Sequence, residues 1–155
     1  DAAVVLLSTP WANTQDALRS AGALSGKVLI DATNPILLGP DLLKEGLLVG
    51  HKTSGAEQVA SWAGGARVVK AFNSVGWPVM VNPRLGTRPA SMLICGDDAA
   101  AKADVTRLSD ELGFETADVG PLAIARLLEP YGVLWIHMCI GLGWGPDFAF
   151  QVIKR

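Results

Sequence analysis

Val4-Val5-Leu6-Leu7-Ser8-Thr9-Pro10, Val28-Leu29-Ile30-Asp31-Ala32-Thr33-Asn34-Pro35 and Val68-Val69-Lys70-Ala71-Phe72-Asn73-Ser74 follow one pattern. Each opens on a short apolar run and ends in small polar residues. Continuous apolar runs mark strands buried on both faces, as in a parallel sheet covered by helices. Polar residues at their carboxyl ends mark the side on which such a sheet opens onto a ligand crevice. None of the three runs into a Gly-x-Gly-x-x-Gly turn, the feature that places a pyrophosphate at a helix amino terminus.

Working outward, helix-like and strand-like segments alternate, which predicts the α/β class. After Pro10, Asn13 is read as the cap of a helix with Ala17, Leu18 and Ala21 on its inner stripe and Gly22 at its end. Gly39 to Gly46 reads as a loop with one short helical turn. Ser54-Gly55-Ala56-Glu57 has capping-box spacing, predicting a helix from Gly55 to Ala63 stopped by Gly64-Gly65. Arg67 to Phe72 and Ser91 to Cys95 are further strands. Asp97-Asp98 open a helix whose inner face carries Ala101, Val105, Leu108 and Leu112. Phe114 to Val119 is a weaker strand. From Pro121 the pattern turns helical, with a break expected near Pro130 and Gly132, and the tail from Asp147 is apolar enough to dock.

The 155 residues, half of them hydrophobic, suffice for one domain with a real core. A net charge of −2 with scattered Lys and Arg offers no electrostatic footprint for nucleic acid or an anionic membrane. The apolar stretch from Val133 to Leu142 is interrupted by His137 and Gly141 and is expected not to span a bilayer. Cys95 and Cys139 lack metal spacing and read as buried hydrophobes in a reducing compartment. A cytoplasmic protein with small-molecule partners is the expectation.

Two glycine-rich stretches imitate known motifs. Gly22 to Lys27 is one residue short of a phosphate loop and precedes a strand instead of following one. Gly141-Leu142-Gly143-Trp144-Gly145 follows a helix and reads as a flexible loop. His51 and His137 have no carboxylate or cysteine at ligand spacing, and neither a catalytic triad nor a carboxylate pair can be assembled. What remains is the set of strand ends, Thr9-Pro10-Trp11, Thr33-Asn34-Pro35 and Asn73-Ser74-Val75. On a parallel sheet these share one rim, where short polar side chains leave backbone groups free for a planar cofactor and its ribose.

The stretches Val4 to Trp11, Ile30 to Pro35, Val69 to Asn73, Cys95 to Asp98, Gly120-Pro121-Leu122 and Arg126 to Glu129 resemble, in order, the NADPH-dependent reductases of the deazaflavin coenzyme F420. The resemblance implies a Rossmann-like domain with a mostly parallel sheet flanked by helices. It also implies hydride transfer between NADP(H) and a deazaflavin or related flavin, carried by the two cofactors without an obligatory acid, base or metal. By resemblance Thr9, Pro10 and Asn13 lie by the nicotinamide nucleotide, with Asn34 and Pro35 beside them. Asn73, Val75 and Trp77 would stand between that ring and the deazaflavin, and Phe148 with the preceding glycine loop would close the far side.

Members of that family begin with a strand, a glycine-rich turn and a second strand. The chain is therefore expected to be a single incomplete domain over 1–155 lacking the first βαβ unit, with a helical part over 121–155, weak for NADPH by itself, and a homo-oligomer, as a dimer. Val4 to Leu7 is expected in a central position, since an uncovered apolar edge strand is an aggregation hazard. The competing reading is a non-catalytic binding or assembly fragment that pairs through this open edge.

Overall fold

The computed structural model describes residues 2–37 and 46–155. The loop expected from Gly39 lies, up to residue 45, outside the described residues. Five strands form the main sheet: β1 (Val4–Leu7), β2 (Val28–Asp31), β3 (Arg67–Lys70), β6 (Ser91–Gly96) and β7 (Glu115–Asp118), adjacent in that order. The pairs β1–β2, β2–β3 and β6–β7 are parallel, whereas β3–β6 is antiparallel through Val69↔Gly96 and Lys70↔Cys95. The sheet is thus mostly parallel. Its one reversed junction follows from what lies between β3 and β6: a short helix α3 (Trp77–Val81) and a hairpin of β4 (Arg84–Leu85) and β5 (Arg88–Pro89), not a full crossover helix.

Side chains alternate across the sheet into two cores. Val28, Ile30, Val69, Met92 and Ile94 pack with Ala101 and Val105 of α4 (Ala99–Glu111) and with Val79 of α3. Leu7, Leu29, Val68 and Cys95 pack on the opposite face with Leu18 of α1 (Trp11–Ser20), Ala56 and Val59 of α2 (Gly55–Trp62) and Ala125 and Leu128 of α5 (Ala125–Ile136). Helices on both faces of one sheet make a three-layer α/β domain.

β1 is the edge strand of the described sheet, not a central one. Its Leu7 is buried under α1, but Val4 and Leu6, which point to the face carrying α4, remain 43% and 58% exposed. Among the described residues, nothing pairs with its outer side.

Local signals explain most element ends. Ser54 Oγ accepts from the Glu57 amide at 3.2 Å, the N-cap half of the expected capping box, while its hydroxyl donates to Glu57 Oε2 at 2.8 Å. Asp98 caps α4 through the Ala101 amide at 2.7 Å, while Asp97 instead accepts from the Leu122 amide at 2.8 Å. Asn13 does not cap α1: the helix begins at Trp11 after Pro10, whose fixed φ suits that position, and Asn13 lies exposed in the first turn. Thr14 takes the buried role, its hydroxyl bonding the Pro10 carbonyl at 3.2 Å.

Downstream, α5 does not break at Pro130. Pro130 is exposed, so water can satisfy the carbonyl one turn back that proline cannot bond. With a 3-10 turn at Leu122–Ile124 and a π-turn at His137–Gly141, the helical run spans Leu122–Gly141. Its 20 residues, at a mean hydropathy of 1.2, are long and apolar enough to cross a bilayer by length and composition, a longer run than Val133 to Leu142 alone. Beyond Gly141 the chain is irregular, so the part over 121–155 is helical only in its first 21 residues. The tail docks by backbone and side-chain bonds, from the Ser91 amide to the Phe150 carbonyl at 3.2 Å and from Val152 to Ser91 Oγ at 2.9 Å.

Candidate functional site

The carboxyl ends of β1, β2 and β3 lie on one rim because the three strands are parallel and in register. Between the tips of β1 and β2 opens a cavity of about 440 Å³ lined by Ser8, Thr9, Pro10, Trp11, Ala12, Ala32, Thr33, Asn34, Ile36, Leu37 and Ile136. Its walls combine apolar surface from Trp11, Ile36 and Ile136 with short polar groups and the first turn of α1, which no side chain among the described residues caps. That composition suits a flat, amide-bearing ring with a polar tail. Thr9 shares a 3.2 Å hydrogen bond with Thr14, and Trp11 packs against Trp62 at 5.5 Å between ring centres.

The β3 tip contributes differently. Phe72 adopts a left-handed φ of 63°, uncommon for a bulky residue, which turns the chain so that Asn73 meets the tip of β2. Asn34 Nδ2 donates to the Asn73 carbonyl at 2.8 Å, and Asn73 Nδ2 donates to Asn34 Oδ1 at 3.1 Å and to the Leu128 carbonyl of α5 at 3.0 Å. Both amide protons of Asn73 are thus committed. The pair is a clasp between strand tips, with Asn34 on its cavity side.

Helix α5 lies directly across this clasp at Gly132. A Cβ there would stand 2.8 Å from Asn34 Oδ1, Asn73 Nδ2 and the Asn73 carbonyl oxygen, closer than real carbon contacts come. Gly55 serves the same purpose at the start of α2, where a Cβ would come within 3.1 to 3.2 Å of Trp11, Glu129 and Pro35.

Beneath the cavity sits a buried charge network. Lys70 Nζ donates to Asp31 Oδ2 at 3.0 Å and to the Thr33 carbonyl, and lies 3.2 Å from Glu129 Oε1. Asp31 Oδ1 accepts from the Thr33 amide at 2.9 Å and the Thr33 hydroxyl at 2.7 Å. Glu129 accepts from the amides of Gly55 and Ala56 at 2.8 and 2.9 Å, capping α2 from another helix. Burial pushes the Glu129 carboxyl upward, opposed by Lys70 and the two amides. The Asp31 carboxylate, held on the same Lys70, adds to the upward push.

Of the residues singled out in the sequence, Thr9, Pro10 and Asn34 line the cavity. Pro35 is buried beside Gly55, and Asn73 is held in the clasp. Val75 belongs to the core that includes Val79 and Phe114. Phe148 stacks on Trp135 at 5.0 Å and 17°, its carbonyl accepting from the Trp135 indole at 3.0 Å. Trp77 is 71% exposed at the start of α3. Sequence reasoning missed Gly132 and the Lys70–Asp31–Glu129 network. A visible signal existed for the latter, since charged residues inside apolar strands at matching positions need partners.

No protein-family model matches the chain. Its backbone superposes, over 99% of its length, on 70% of a candidate F420-dependent NADP-reductase from Arthrobacter sp. FB24, with a TM-score of 0.88 and 33% identity. The chain belongs to the NAD(P)-dependent reductase family. Its fold is accordingly Rossmann-like. The hypothetical protein SMa0349 from Sinorhizobium meliloti superposes on the whole chain, which covers 68% of that protein, with a TM-score of 0.71 and 27% identity. Among curated proteins, Metalloreductase STEAP3 of Rattus norvegicus is 39% identical over 110 residues, 70% of this chain. The chain spans about a fifth of the length of the curated metalloreductases it matches.

Proposed function

We propose that the chain supplies the nicotinamide side of an NADP(H) crevice in a reductase that passes hydride to a deazaflavin such as coenzyme F420, or to a related flavin. The observation that carries this reading is the cavity between the tips of β1 and β2, with the uncapped start of α1 at its wall. Bound NADPH would supply the hydride. The chain's own residues would hold the ring: Trp11, Ile36 and Ile136 against its faces, Thr9 and Asn34 at its amide and ribose, and the first-turn amides of α1 toward the phosphates. Proximity and exclusion of water are then the protein's contribution, since the transfer itself needs no protein acid or base. The kinship with an NADP-reductase supports the donor, and its description as F420-dependent supports the acceptor.

The test is direct. Titration of the chain with NADPH should quench tryptophan emission saturably through Trp11, and addition of oxidised deazaflavin should bleach its visible absorbance as NADPH is consumed. Absence of saturable quenching up to millimolar NADPH would refute the donor assignment. Quenching without bleaching would refute the deazaflavin acceptor.

A second reading is favoured by β1 alone, whose exposed Leu6 and unpaired outer edge fit strand addition from a second chain. Light scattering decides it: association that Leu6→Lys abolishes supports edge pairing, and a monomer at 100 μM in the unsubstituted chain excludes it.

A further inference from the structure

The buried charges under the cavity have a cost that the fold does not explain. Lys70, Asp31 and Glu129 have no more than 1% of their side chains exposed, and taking such groups out of water is unfavourable even when they are paired. Apolar side chains of similar size would fill the same space between β2, β3 and α5. What they could not do is bind a peptide group.

The network grips one peptide segment from both sides. Asp31 Oδ1 takes the Thr33 amide and hydroxyl, and Lys70 Nζ takes the Thr33 carbonyl while holding Asp31 Oδ2. Every polar group of Thr33 is therefore fixed from beneath. Thr33 lines the cavity, and Asn34 follows it into the clasp with Asn73. Glu129 completes the arrangement, joining Lys70 to the amides that begin α2.

We propose that Lys70 is a positioning residue which, through Asp31, sets the Thr33–Asn34 segment in the shape that receives the nicotinamide nucleotide. This rests on the NADP(H) reading above. Lys70 does not touch the ligand; it withdraws the Thr33 carbonyl from the cavity and holds the β2 tip rigid, so that the ring meets a preformed wall.

The experiment compares the unsubstituted chain with the apolar pair Lys70→Met/Asp31→Leu, which removes both members of one ion pair and leaves Glu129 on its two amides. NADP+ affinity is read by tryptophan quenching, and amide exchange at Thr33, Ile30 and Val69 is read by NMR. The expected result is a folded protein in which Ile30 and Val69 keep their protection, Thr33 loses it, and NADP+ binds at least tenfold more weakly. A purely structural role would lower the melting temperature without changing affinity below the transition. Unchanged affinity or unchanged Thr33 exchange in the folded variant overturns the assignment. Should the pair not fold, Asp31→Asn is measured on the same two scales, with affinity equal to that of the unsubstituted chain again overturning it. If the unsubstituted chain itself does not bind NADP+, the reading of function falls and this assignment with it, whereas binding that is insensitive to Lys70 removes this assignment alone.

Discussion

Replacing Gly132 by alanine sets two effects of opposite sign against each other. In an exposed helix the change should stabilise by about 0.5–1 kcal/mol, because glycine loses more backbone freedom on folding than alanine. At this position the new methyl would stand 2.8 Å from Asn34 Oδ1, Asn73 Nδ2 and the Asn73 carbonyl. Relief requires either moving α5 away, which Glu129 resists through Lys70 and the α2 amides, or opening the clasp. Overpacking of this kind costs about 1–3 kcal/mol. Each clasp bond broken without a water replacement adds about 1–3 kcal/mol. Even after the propensity gain, we expect a net loss of about 2–3 kcal/mol. Urea denaturation followed by far-UV circular dichroism measures it, with the slope checked for constancy so that the midpoint shift reports stability. A variant as stable as the parent, or more so, would refute the claim that α5 is seated on the asparagine pair by the absence of a side chain.

The remaining predictions concern separate groups. Arg126 grips Glu57 through two bonds of 2.9 and 2.6 Å and holds its carboxyl below the ordinary 4.5, so the pair should stabilise above that pH and cease to do so as pH falls through the lowered value. Glu57→Gln should therefore cost up to about 1 kcal/mol at pH 7, the scale of a partly exposed pair, and progressively less as pH falls below 4.5; a cost independent of pH in urea titrations would count against the ion pair. Burial pushes the Cys95 thiol up to about 12, so a thiol reagent at pH 8 should label one cysteine, Cys139, in the native chain and two in urea; rapid native labelling of Cys95 would contradict its burial. Among the described residues, Ser109 Oγ is buried on α4 without a hydrogen-bond partner, so Ser109→Ala should stabilise by about 0.5–1 kcal/mol, combining the relieved hydroxyl with better helix propensity. A loss of stability there would reveal a partner for the hydroxyl.

Much of this architecture is legible in the residues because its signals are local. Val28-Leu29-Ile30 and Val68-Val69 read as buried parallel strands from composition alone, and Ser54 with Glu57, or Asp98 before Ala101, marks helix starts through bonds three residues long. What escapes is set by contacts distant in sequence. The reversal between β3 and β6 depends on the intervening chain folding as α3 and a hairpin instead of one crossover helix, and the persistence of α5 past Pro130 depends on which side of the helix faces water. The site divides in the same way. Thr9, Pro10 and Asn34 line the cavity because they stand at the strand tips that the apolar runs mark in the sequence. The commitment of Asn73 to Leu128, 55 residues away, is visible only in three dimensions, whereas Lys70 and Asp31, charges inside apolar strands, show in the sequence that each needs a partner without naming it.

The apolar run Leu122–Gly141 shows why length and hydropathy cannot by themselves decide what a helix does. Its exposed side, with Leu127, Leu134 and Ile140, is as apolar as a lipid-facing surface. Its other side carries Glu129, whose carboxylate meets Lys70 and two α2 amides, and Gly132, which admits the asparagine clasp. Withdrawing this helix into a bilayer would strand Lys70 and Asp31 without their third member, and removing one partner from a buried ion group costs about 3–5 kcal/mol. It would also carry Glu129 into hydrocarbon, where a central charge costs about 2.5–3.5 kcal/mol or more. Both terms oppose insertion. The helix is therefore held where it is by its polar residues, and its apolar character serves the sheet tips that those residues align.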